Sequence, residues 1–224
     1  MKTIFKLAIG TAAAVGAAGA AQAQVAGIAT ANPTIAIARS KAFTAASQQI
    51  ATTYKPSMDQ VDAKEKTRQG LIVQLDTNKD GQVSEDEVQK AQASKAPAIA
   101  QIQTLDREIN GLTEPALKAQ GFAIEAITQK YNDAMNKVIA DRKIQIILTP
   151  ESFIYAPDAV DVTPAITAEL DRVLPSVSTT VPAGWNPTRQ TVGLQQQIQQ
   201  LAARAAQARA GAPATPAKPA PQGR

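Results

Sequence analysis

The stretch Asp76 to Glu87, DTNKDGQVSEDE, lies where the two longest helical patterns of the chain meet, and we read it as the tip of a helical hairpin. Asp76, Asn78 and Asp80 stand at positions 1, 3 and 5 of a twelve-residue loop, Gly81 at 6, Val83 at 8, Ser84 at 9 and Glu87 at 12. Alternate oxygen-bearing side chains at that spacing converge on one hard cation. Gly81 permits a sharp turn at positive φ, and Glu87 can supply two oxygens from the start of the next helix. Gln82 would add its backbone carbonyl, and Ser84 would act directly or through a water. The six ligands expected for a Ca2+ ion are therefore Asp76, Asn78, Asp80, Gln82, Ser84 and Glu87. An ordinary turn uses the same residue types: Asp, Asn and Gly cluster between helices, and DGQVSEDE alone would make a turn followed by an acidic first helical turn.

With Ile72 and Leu75 before it and Val88 after it, the loop resembles an EF-hand, whose flanking helices turn apolar side chains inward at those positions. EF-hands usually work in pairs, and one motif stands here with three carboxylates among its ligands. The site is expected to be weak, in the extracellular range of about 0.1 to 1 mM.

Working outward, a first arm runs from Thr34 to Leu75, with Phe43, Ile50, Tyr54, Val61, Ile72 and Leu75 near helical spacing and Lys64 and Arg68 interrupting the stripe. Pro56 should kink this arm or restart it, because an interior proline removes a backbone bond and clashes with the preceding turn. Past the loop, Ser84 to Ala93 reads as a short helix that ends before Lys95-Ala96-Pro97. The second arm returns through Ile99, Ile102, Leu105, Ile109, Leu112, Ala116, Ile124, Ile127, Tyr131, Met135 and Val138, at the spacing of a coiled-coil seam, with Gly111, Pro115 and Gly121 as points of bending. The arms match in length, so an antiparallel pair would carry the loop roughly 60 Å from its root at 1.5 Å per residue.

Two thin helices bury one stripe each and need a rooted base or a partner chain. Val25 to Ala31 and Lys143 to Thr149 are β-compatible, and Phe153 to Ala156, FIYA, reads as a second short strand after the Pro150-Glu151-Ser152 turn. Thr163 is read as the cap, and Pro164 as the first residue, of a helix running to about Leu174. A small open sheet of this kind leaves edges that invite oligomerisation. From 178 to 224 the chain reads as mostly disordered: turns around Trp185, a marginal Gln/Ala/Arg helix from Leu194 to Arg209, then a Pro/Ala tail. Arg204, Arg209, Lys218 and Arg224 allow contact with an anionic membrane surface, although a solvated basic tail is the more frequent case.

Composition sets the outer limits. Only 4% of the 224 residues are aromatic, which makes a large globular core hard to build. The chain has no Cys and no His, which removes thiol and imidazole nucleophiles, most zinc sites and disulfides. Lys2 and Lys6 precede an uncharged run from Leu7 to Ala20 and an Ala21-Gln22-Ala23 site, the pattern of a signal peptide (residues 1–23) cleaved after Ala23. Its removal lowers the formal net charge from +4 to about +2. No later stretch is long and apolar enough to span a bilayer. An enzyme is not expected, because no cluster of acid, base and nucleophile appears, and nothing points to nucleic acid.

Signal peptide, strand, hairpin and the run KIQIILTPESFIYAPDAVDVTPAITAELDRVLPSV stand in one order that resembles the Skp/OmpH family of periplasmic outer-membrane-protein chaperones. Ile144 to Leu148, Pro150, Tyr155, Ala156, Asp161, Val162, Thr163, Leu170, Leu174 and Pro175 carry the likeness, and Val25 to Tyr54 looks like the family's first strand and arm. The resemblance implies a mainly α protein with a small β base, in which a long antiparallel helical hairpin, a coiled-coil-like tentacle, is rooted in a sheet that trimerises. Residues 24–33 and 143–177 would form that base and 34–142 the arm. It also implies an ATP-independent holdase in the periplasm, whose homotrimer holds unfolded outer-membrane proteins between its arms. The tip loop and Pro56 depart from the family pattern. The competing reading is a periplasmic calcium-binding structural or sensor protein whose helices present the loop.

Overall fold

A computed structural model describes residues 27–210; the expected signal peptide, residues 1–23, and the last part of the tail, 211–224, lie outside them. Strand β1 (Ile28–Thr30) pairs in parallel with β2 (Ile146–Leu148), Ile28 opposite Ile146 and Thr30 opposite Leu148. Parallel neighbours need a crossover, and here the crossover is the entire arm. The N–H groups of Gln145 and Ile146 both donate to the Gly27 carbonyl, at 2.7 and 2.9 Å, and tie the two roots of the hairpin together.

The outgoing arm comprises three helices: α1 (Pro33–Arg39), α2 (Lys41–Thr53) and α3 (Lys55–Val73). Asn32 caps α1 by accepting from the Ile35 N–H at 3.0 Å, with Pro33 at the first helical position. The break at Ser40 was not foreseen. Its buried hydroxyl donates to the Ile37 carbonyl at 2.8 Å and accepts from the Phe43 N–H at 3.2 Å, so one side chain ends α1 and starts α2. Pro56 restarts the arm: it lies in the first turn of α3, where a proline costs no intrahelical bond. After the tip loop, α4 (Glu85–Ala93) leads to α5 (Pro97–Arg142), one helix of 46 residues that passes through Pro115. At 1.5 Å per residue α5 is about 70 Å long.

Only the base half of α5 has a thick surround. Ile124, Ile127, Tyr131 and Val138 pack with Ala36 and Ile37 of α1 and with Val162, Ile166 and Leu170, the last two on α6 (Thr163–Val173). Ile37, Ile124, Ile127, Ile166 and Leu170 are fully buried there. In contrast, α3 has no buried residue along its 19 positions. Its polar middle meets α5 through ion pairs, Lys64 to Glu108 at 2.7 Å and Arg68 to Asp106 at 2.6 Å.

Three expectations need correction. FIYA is not a strand: Pro150–Ser152 is a 3-10 turn, and Ile154 and Tyr155 are exposed. Both edges of β1 are taken, by β2 and by the backbone at Asp161, whose neighbour Val162 donates to the Thr30 carbonyl at 2.9 Å, so β1 cannot receive the segment. Thr163 does not cap its own helix; its hydroxyl accepts from the Asn32 N–H at 2.9 Å and joins α6 to the start of α1. The segment from 178 is not a loose tail throughout. Arg189–Ala210 forms α7, a 22-residue helix docked on α5, with Ile198 buried in the main core and Trp185 edge-on to Phe122 at 5.4 Å. Low apolar content understated this helix, because two of its anchors, Thr191 and Gln195, are polar and act through hydrogen bonds to α5.

Candidate functional site: tip loop, arm and base

At the tip, Asp76, Asn78 and Asp80 share one turn. The Asp80 N–H donates to Asp76 Oδ1 and Asn78 Oδ1 at 3.2 and 2.9 Å, the Gly81 N–H to Asp76 Oδ2 at 2.9 Å, and the Gln82 N–H to Asp80 Oδ1 at 2.8 Å. Gly81 has φ +84°, the conformation required at the sixth position, and Lys79 also lies at positive φ. Glu87 is engaged differently. Its Oε1 accepts from the Thr77 N–H and hydroxyl and the Asn78 N–H at 2.7, 2.8 and 3.1 Å, while Oε2 accepts from the Ser84 N–H and hydroxyl at 3.0 and 2.9 Å. With the Glu87 N–H donating back to Ser84 Oγ, this is a capping box for α4 that also ties in the start of the loop. These donors, the Ser84 backbone first, pull the Glu87 pKa from 4.5 down to about 2.

The structure thus brings Asp76, Asn78 and Asp80 together and holds both Glu87 oxygens on Thr77, Asn78 and Ser84. Among the described residues, no three carboxylate groups converge on a point where a metal ion could sit. The residue types and the turn suit an oxygen-ligated cation, but Glu87 would have to exchange N–H donors for metal.

Below the tip, Ile72, Leu75, Val83, Val88, Ile99 and Ile102 line an apolar cup of about 350 Å³. Farther down, Thr67, Leu71, Ala100, Thr104, Leu105 and Glu108 line an open groove of about 430 Å³ between α3 and α5. At the opposite end, Ile28, Ile146, Leu148, Ile154 and Tyr155 leave large apolar side chains exposed around the sheet, with Ile154 and Tyr155 at 107% and 82%. Sequence reasoning found these base residues but assigned Ile154 and Tyr155 to a strand within the chain. No helix among the described residues is long and apolar enough to cross a membrane.

A slender two-helix arm, apolar grooves along it and an apolar sheet at its foot define an extended helical-hairpin protein of the binding kind. The chain belongs to the OmpH-like outer membrane protein family, whose model matches residues 27–170. The match ends in α6, so Trp185 and α7 lie beyond it. Among solved structures, a candidate outer membrane chaperone (OmpH-like) from Caulobacter crescentus is similar at 18% identity with a TM-score of 0.45, covering 68% of this chain and 88% of that one. No curated protein sequence matches the chain.

Proposed function

We propose that this protein is an exported, ATP-independent holdase of the periplasm that binds unfolded outer-membrane proteins between helical arms gathered by a trimeric base. The observation that carries the reading is the unfinished apolar surface at both levels of the molecule. The outer arm buries little, its grooves are open, and the foot of the arm exposes Ile146, Leu148, Ile154 and Tyr155. An unfolded β-barrel client presents alternating apolar strands, and many weak apolar and charge contacts can hold such a chain without folding it. Membership of the OmpH-like family supports the same reading. The holding step needs no catalysis. The test is dilution of a urea-unfolded outer-membrane protein into buffer with and without the purified mature chain and no nucleotide. Light scattering should stay at baseline with the chain present, and equal aggregation in both samples would end the holdase reading.

We infer further that the tip loop takes one weakly held Ca2+ ion, a reading supported by the filled twelve-residue motif and by Gly81 at φ +84°. Calorimetric titration should give binding in the range of about 0.1 to 1 mM, lost in Asp76→Asn. No heat from the unmodified chain up to roughly ten times that concentration would remove calcium from the account.

A further inference from the structure

The two cross-arm ion pairs fix the register of the hairpin: Lys64 faces Glu108 and Arg68 faces Asp106. Carried roughly two to three helical turns toward the base, that antiparallel register brings Pro56 level with Ala116 to Lys118, less than one turn past Pro115. Both rods are therefore weak at one height. On one side the chain leaves helix at Tyr54, φ −99° and ψ 7°, between α2 and α3. On the other, Pro115 has no N–H for the Gly111 carbonyl, and the Thr113 hydroxyl donates to the carbonyls of Ile109 and Asn110 at 2.9 and 3.1 Å. Gly111 has no neighbouring atoms around the place of a Cβ.

The C-terminal segment grips α5 at this height and on its base side. Gln195 Nε2 donates to the Leu117 carbonyl at 3.1 Å and to Gln120 Oε1 at 2.8 Å, Thr191 Oγ1 donates to Glu125 Oε2 at 2.9 Å, and Trp185 lies on Phe122. Gly121 lets it approach: a Cβ there would stand 3.3 Å from Trp185 Cη2. An outside donor tilts a helix carbonyl outward, and such tilting makes a helix convex on that side. Acting on Leu117, two residues past Pro115, it selects a direction of bend at the weakest point of the rod.

We propose that Trp185 and α7 form a releasable brace that sets the angle of the outer arm about a paired hinge, Tyr54–Pro56 on one rod and Gly111–Pro115 on the other. Release is local because the grip is mostly polar: of the 22 residues of α7, only Thr191, Gln195 and Ile198 are buried. The brace does not depend on the client, so it stands or falls apart from the holdase reading.

The full mature chain tests it, and the absence of cysteine makes site-specific linkage clean. In Gln195→Ala, amide hydrogen exchange at residues 113–118 should quicken roughly tenfold, while exchange at Ile146–Leu148 stays unchanged. In the double variant Gln120→Cys/Gln195→Cys, a short bis-maleimide bridge should slow exchange at 113–118 by about the same factor relative to the unbridged variant. The bridged comparison remains decisive even where Gln195→Ala fails to fold. Equal exchange at 113–118 in bridged and unbridged protein overturns the proposal.

Discussion

Five donors on Thr77, Asn78 and Ser84 stabilise the charged form of Glu87, and that preference becomes a pH dependence. The folded pKa of about 2 lies below the ordinary 4.5, so the contribution of Glu87 to tip order is fully present above pH 4.5. It is lost as pH falls through about 2. The Thr77 and Asn78 amide resonances should therefore hold steady down to pH 4.5 and shift only toward pH 2, and Glu87→Gln should remove that transition. The loop also shows where residue-level reading stops. Ser84 and Glu87 fit the last positions of a calcium loop and, equally, a capping box, because both arrangements need an oxygen-bearing residue followed three positions later by a carboxylate. Spacing cannot say whether that carboxylate faces a cation or N–H groups. Thr163 was ambiguous in the same way, since a hydroxyl before Pro164 suits a cap, and the Asn32 N–H that claims it lies 131 residues away.

Among the elements, α6 and the base half of α5 carry the core. Ile166→Ala should lower stability by about 2 to 5 kcal/mol, read in urea unfolding followed by circular dichroism, because Ile166 is fully buried and its neighbours come from separate elements. Gly121→Leu should displace Trp185 without breaking α5, and Trp185, the only tryptophan, reports its own departure as a red-shifted emission. The second arm was legible because its 3-4 stripe of Ile and Leu is long and ends in proline at one side. The first arm was legible in extent but not in its division at Ser40, where a single small residue makes the cap bonds of two helices. Helix α7 was misjudged because its apolar stripe is short, Leu194, Ile198 and Leu201, and its other anchors are Gln and Thr side chains whose partners on α5 are 66 to 78 residues distant.

Across the whole molecule, a rod with a polar middle is rooted in two strands of three residues, and the apolar foot of that rod faces outward. Such a foot is stable in water when covered, and in the proposed trimer a second and third copy of the same surface would supply the cover. Ile154→Asp with Tyr155→Asp should therefore dissociate the assembly while helix content is kept, since both side chains are exposed within one chain. The strand pair and the hairpin were legible in the sequence. The exposure of FIYA was not, because its β-compatible residues say that it can pair but not that both edges of β1 are already taken. The most direct measurement is sedimentation equilibrium of the mature chain at micromolar concentration. The account predicts three times the mass of a single chain, and the mass of one chain would contradict it.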